Sequence, residues 1–113
     1  MWYQRKQNKY RNVLKRYNGI MYHSKKEAQY AYELDLRLKA KEIKSWERQD
    51  KISLDVKGYH ICNYYIDFVV THNDDIIEYV EVKGFETDLW RLKWRLFEAL
   101  YGDIPGVKLT VIR

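Results

Sequence analysis

The chain has one cysteine, one proline and three histidines, and its first acidic residue is Glu27. Each scarcity closes off a class of explanation. A lone Cys62 cannot form an internal disulfide, so a disulfide-stapled scaffold is excluded and a reducing, cytoplasmic or host-intracellular setting is expected. Cys62 and His60 are too few for a zinc site, while His23 and His72 read as loop or strand-end residues. No apolar run approaches the roughly 20 residues needed to cross a bilayer, and no apolar segment follows the basic start, so no membrane partner is expected.

The missing acids matter most. The net charge of +5 is unevenly spread: residues 1–26 carry eight Lys or Arg and no acid, whereas residues 27–113 carry thirteen against sixteen Asp or Glu. In the first stretch Arg5, Lys6, Lys9 and Arg11 alternate with polar residues and Tyr10, without an apolar period. Residues 1–12 therefore read as a basic arm ahead of a single domain spanning 13–113. Cations interleaved with tyrosine suit a polyanion such as DNA, and a solvated tail is the other reading. Both hold if the arm orders only on nucleic acid. Eleven tyrosines and four tryptophans mark a globular chain, and no internal repeat is visible.

The centre of the sequence is Tyr64 to Gly84, YYIDFVVTHNDDIIEYVEVKG. Two runs rich in Ile, Val, Phe and Tyr flank His72-Asn73-Asp74-Asp75, which predicts a β-hairpin. Within these apolar runs stand Asp67, Glu81 and Lys83. Residues i and i+2 of a strand share a face, so Glu81 and Lys83 project together with Tyr79, and Asp67 is expected to share its face with Tyr65 and Val69. Charges in such surroundings need a partner or a metal. One reading is a structural ion pair in which Lys83 neutralises Asp67 or Glu81. The other is a divalent-cation site for phosphodiester hydrolysis, since hard cations take a few carboxylate oxygens and a nearby lysine can stabilise charge developing on phosphate.

The second reading constrains the loop. Opposed residues on antiparallel strands point to the same face, so the two carboxylates meet only in the right register. If His72 pairs with Ile76 around a three-residue loop Asn73-Asp74-Asp75, opposed residue numbers sum to 148 and Asp67 lies across from Glu81. A two-residue loop Asn73-Asp74 would send Glu81 to the other face. No glycine announces either turn, so turn preference alone does not decide; shared chemistry requires the three-residue loop.

Around this centre, Val13–Tyr17 and Ile20–Tyr22 flank Asn18-Gly19, the strongest short hairpin signal, giving a small basic hairpin with Lys15 and Arg16. Ser24-Lys25-Lys26-Glu27 has the capping-box pattern and opens a helix to about Lys41. Ala31, Leu34 and Leu38 follow Glu27 at helical spacing, so Glu27 is either a cap alone or also a carboxylate on the buried face. Residues 43–56 read as loop and strand, with Gln49 in Glu47-Arg48-Gln49 a candidate water-orienting group and Lys57-Gly58 a turn. Thr87 is an expected N-cap for a helix to about Tyr101, with Leu89, Leu92, Leu96 and Leu100 as its buried stripe, widened by Trp90, Trp94 and Phe97. Arg91, Lys93 and Arg95 are left for phosphates or solvent. Gly102 ends the helix, Pro105-Gly106 turns the chain, and residues 107–112 form a last strand. The expected class is α/β or α+β: a mixed sheet with helices on its faces in the order α-β-β-β-α-β, preceded by the basic hairpin.

On the residues Glu27, Asp67 and Glu81-Val82-Lys83, in the segments SKKEAQYAYEL, WERQ, YYIDFVV and VEVKG, the chain resembles the PD-(D/E)XK nuclease superfamily over roughly residues 20–113. Within it the likeness is to small phage-borne endonucleases related to Holliday-junction resolvases, and more distantly to the end-cleaving nuclease subunit of some transposons. Ile66-Asp67 stands where that family often has Pro-Asp. The resemblance implies a restriction-endonuclease-like core and an intracellular phage or prophage enzyme that hydrolyses DNA phosphodiesters, branched DNA being the expected substrate. It implies Mg²⁺ or Mn²⁺ on Asp67, Glu81 and the Val82 carbonyl, with Glu27 completing the site, Lys83 orienting water and Gln49 a lesser member. Arg5, Lys6, Lys9, Arg11, Lys15, Arg16, Lys25, Lys26 and Lys93 are the expected DNA contacts, and symmetric double cleavage would call for a homodimer. The alternatives are a non-cleaving nucleic-acid-binding module or a phage assembly protein on the same fold. An HNH-type nuclease is disfavoured, because His72-Asn73 falls in a turn and no second histidine follows on a helix.

Overall fold

The computed structural model describes residues 15–113; the expected arm contacts Arg5, Lys6, Lys9 and Arg11 lie outside these residues. The chain divides into two compact units, meeting in sequence at Ala40 and Lys41.

In the first unit, β1 (Arg16–Tyr17) pairs antiparallel with β2 (Ile20–Met21) across Asn18 and Gly19, at φ 52° and 78°. Positive φ at both central residues is what Asn-Gly supplies most cheaply, and it matches the twist of the strands. Helix α1 (Lys25–Lys39) begins as the capping box predicts, with the Glu27 N–H donating to Ser24 Oγ at 3.1 Å. Ala28, Ala31 and Leu34 are buried along its length. Leu38, expected to extend that stripe, is instead 39% exposed, because the last turn of the helix has left the buried face. The Tyr17 hydroxyl donates to Asp35 Oδ2, tying the hairpin to the helix, and that bond holds the phenol's pKa up, to about 12.

The second unit is a four-stranded sheet in the order β3-β4-β5-β6 with helix α2 packed on it. Strand β3 (Ile43–Val56) is one continuous strand of 14 residues rather than loop and strand. It pairs antiparallel with β4 (Tyr59–His72) around the Lys57-Gly58 turn, at φ 53° and 83°. Strand β5 (Ile77–Val82) runs antiparallel to β4, and β6 (Val107–Ile112) runs parallel to β5. Parallel neighbours need a crossover, here α2 (Asp88–Tyr101), capped by Thr87 Oγ1 accepting from the Trp90 N–H at 3.1 Å. The mixed α+β class and the order α-β-β-β-α-β after a small hairpin are as expected.

The buried stripe of α2 differs from the leucine stripe. Trp90, Trp94 and Phe97 are buried with Leu54, Tyr64 and Ile66, whereas Leu89 and Leu92 are 61% and 66% exposed. Two apolar stripes compete on this helix, offset by about 100°. The one with larger rings removes more apolar area from water and wins.

Candidate functional site

The β4–β5 loop is the three-residue one. His72 N–H donates to Ile76 O and Asp75 N–H to His72 O, both at 2.9 Å, with Asp75 left-handed at φ 70°. The pairs Thr71↔Ile77, Val70↔Glu78, Val69↔Tyr79 and Phe68↔Val80 all obey the sum of 148. The ladder stops there, one step short of Asp67 and Glu81, which the same register sets opposite one another. At that point a side chain takes over from the backbone: Asp67 Oδ2 accepts the Val82 N–H at 2.9 Å. The next amide, Lys83 N–H, turns to the other neighbour and donates to Ile112 O at 2.7 Å.

Glu81 is 1% exposed and hydrogen-bonds with Asp67. Its Oε1 accepts from the Tyr64 hydroxyl at 2.7 Å, and that hydroxyl in turn accepts from Trp90 Nε1 at 3.0 Å. Lys83 Nζ lies 3.7 Å from Glu81 Oε2 and 4.8 Å from the centroid of the Trp90 ring, a cation over a π face. Burial pushes the Glu81 carboxyl up to about 8, and the Asp67 charge adds to it, against the opposing pull of Tyr64 and Lys83. Burial and the Glu81 charge likewise drive the Tyr64 phenol upward, so it remains a donor. The site thus concentrates two carboxylates against one ammonium. With Glu81 ionised, the site carries one negative charge in excess, which a hard divalent cation would neutralise, and Mg²⁺ is commonly held by one or two carboxylates with waters completing its shell. Among the described residues no group of three or more His, Cys, Asp or Glu gathers that could hold a metal ion.

Of the residues singled out in the sequence, the fold brings Asp67, Glu81 and Lys83 together, and Val82 joins them through its amide. Gln49 falls between the pairs Arg48↔Phe68 and Asp50↔Ile66, opposite Asp67, and holds a left-handed φ of 52° in mid-strand. Such an outlier in a non-glycine residue costs of order 1 kcal/mol and is a reason to look for function nearby. Glu27 is buried in the first turn of its own unit, with Oε2 3.5 Å from Ser24 Oγ and 3.9 Å from His23 Nδ1. Arg16, Lys25 and Lys26 are exposed, and Lys15 is half-buried. Arg91 is engaged by Asp88 at 3.1 Å and Glu86 at 3.6 Å. Lys93 donates to Asn63 O at 3.3 Å and lines a cavity of about 250 Å³ with Tyr64, Tyr65, Thr87, Leu89 and Trp90, beside the carboxylates' own hydrogen-bond partners.

Tyr64 and Trp90 are the residues that sequence reasoning missed. Strict alternation puts Tyr65, not Tyr64, on the face of Asp67. Around Asp67 and Gln49 that alternation inverts. Tyr64 and Ile66 pack with α2, while Phe68, of the same parity, is buried outside that cluster and packs on Trp46 at 5.8 Å. The register is unchanged on either side, so the chain has rotated here without inserting a residue. The left-handed Gln49 stands directly across from this point on β3.

Fold and site together define an α+β domain built on a mixed sheet, with a carboxyl pair, Glu81 buried and Asp67 half-buried, and a lysine where its central hairpin opens. The chain belongs to the family described as protein of unknown function DUF1064, which matches residues 7–113. No curated protein and no solved structure matches the chain.

Proposed function

We propose that this protein is a metal-dependent endodeoxyribonuclease of the PD-(D/E)XK type, with branched DNA as its preferred substrate and a homodimer as its working form. The observation that carries the reading is the pairing of Glu81, 1% exposed, with the half-buried Asp67 beside a single lysine, an arrangement in which burial and the Asp67 charge hold the Glu81 proton up to about pH 8. A structural ion pair accounts for Lys83 and one carboxylate but not for a second carboxyl group set where burial and its neighbour oppose its ionisation. Asp67 and Glu81 would hold Mg²⁺ or Mn²⁺, which when bound supplies Lewis-acid stabilisation of phosphate oxygens. Tyr64, anchored by Trp90, holds Glu81 Oε1 in place. Lys83, restrained over the Trp90 ring, donates from Nζ to orient a water and to offset charge building on the phosphate. Exposed Arg16, Lys25 and Lys26, with Lys93 beside the site, supply cations for the DNA backbone.

Linear duplexes and four-way junctions incubated side by side with Mg²⁺, Mn²⁺ or EDTA test this. Cleavage should need the ion, and Asp67→Asn, Glu81→Gln and Lys83→Ala should each lower it by about 100-fold or more while the fold and DNA binding persist. Mn²⁺ affinity read by electron paramagnetic resonance should fall in Glu81→Gln. Cleavage at wild-type rates by any of the three would remove that residue's role. Metal-independent DNA binding without cleavage would instead favour a binding module.

A further inference from the structure

The first unit contains an open cavity of about 470 Å³ walled by Arg16 and Tyr17 of β1 and by Lys25, Lys26, Gln29 and Tyr32 of α1. Tyr17 and Tyr32 meet edge to face, centroids 5.7 Å apart at 82°. The hydroxyl of Tyr17 is occupied by Asp35, which fixes that ring, while Tyr32 remains 44% exposed. Arg16, Lys25 and Lys26 make no ion pair among the described residues, and the cavity wall contains no carboxylate.

Three requirements meet in this cavity. Unpaired cations at its rim call for an anion. Exposed aromatic surface calls for a flat, apolar partner, and Gln29 offers both a donor and an acceptor to a polar edge. A nucleotide of an unpaired strand meets all three, through its phosphate, its base face and its base edge. Duplex DNA meets only the first, because its base faces are buried in the stack. We propose that this cavity binds an unpaired nucleotide of single-stranded DNA, with its phosphate on Arg16, Lys25 and Lys26 and its base on the Tyr32 ring. The proposal builds on the nucleic-acid partner argued above, but it concerns binding without metal or cleavage, so either can fail alone.

The test uses the full chain in EDTA, with fluorescence anisotropy on three labelled DNAs: an oligothymidylate of about 12 nucleotides, an abasic strand of equal length and a duplex. Tyr32→Ala should weaken oligothymidylate binding by about tenfold and the other two by less than about twofold, with Tyr32→Phe near wild type. Lys25→Gln with Lys26→Gln should weaken binding to all three, and should flatten the salt dependence of single-strand binding by about 1.4 in logarithmic slope, or about 0.7 for each phosphate no longer neutralised. Thermal melting checks each fold, and Tyr32→Leu replaces Tyr32→Ala should the latter melt early. Unchanged oligothymidylate affinity in the Tyr32 variant, or an equal loss on the abasic strand, overturns base stacking. An unchanged slope in the lysine variant overturns the phosphate contacts.

Discussion

Strand β5 carries two buried glutamates, and their surroundings drive them in opposite directions. At Glu78 burial acts to raise the pKa, but the Thr110 hydroxyl at 2.6 Å, His72 Nε2 at 2.8 Å and the Lys108 charge outweigh it and hold the carboxyl below its usual range. At Glu81 burial is joined by a second carboxylate, and the pKa rises from 4.5 to about 8. A raised folded-state value means that the proton is held more tightly in the folded chain. That contribution to stability is complete below about pH 4.5 and is lost as pH rises through about 8. Without divalent ions, the protein should therefore melt at lower temperature near pH 9 than near pH 6. Glu81→Gln, which mimics the protonated form, should remove most of that difference and gain on the order of 3 kcal/mol at the higher pH. Urea melts at the two pH values measure this, and an unaltered pH dependence in the variant would contradict it.

At the level of elements, the same helix that looked leucine-striped rests on aromatic rings. Phe97, fully buried and in ring contact with Tyr64, Tyr79, Trp94 and Tyr101, should cost about 3–5 kcal/mol when cut to alanine. Leu92→Ala should stay within about 0.5 kcal/mol, since that side chain is mostly in solvent. Denaturant titrations of the two would give the reverse order if the leucine stripe were the buried one. The elements themselves were legible because their punctuation is chemical: Asn18-Gly19, Ser24 with Glu27, Lys57-Gly58 and Thr87 each solve a local backbone problem. The β4–β5 register was legible for another reason, since only one loop length lets two carboxylates meet. What the residues hid was the inversion at Gln49 and Asp67. Period-two reasoning assumes an unrotated strand, and nothing in Glu47-Arg48-Gln49 signals a left-handed residue. Tyr64 disappeared from view for that reason, and Trp90, expected only as part of the buried helix face, went unseen as its hydrogen-bond donor.

For the molecule as a whole, charge is the organising asymmetry. Eight of the 21 Lys and Arg residues precede the first acid, and four of these fall in residues 1–11. Deleting those eleven residues should weaken binding to every DNA alike and leave the carboxylate chemistry untouched. On duplex DNA the slope of log affinity against log salt should flatten by about 0.9 for each phosphate that the arm no longer neutralises. An unchanged slope would make the arm a bystander. Among the expected DNA contacts beyond the arm, Arg16, Lys25 and Lys26 line the cavity of the first unit and Lys93 lies beside the carboxylates, so branched, single-stranded and linear DNAs are expected to respond differently to removal of the one set or the other.

The bond from the Val82 amide to Asp67 gives positions 67 and 81 different meanings when relatives are compared. Position 67 must supply an acceptor wherever the hairpin opens in this way, so an aspartate there is compatible with a chain that performs no chemistry, and an asparagine would serve the backbone as well. Position 81 has no such duty to the main chain; there a buried acid only lowers stability at neutral pH. A lineage released from the need for that acid would be expected to shed it first, and an acid kept at 81 is the more informative sign of a working site.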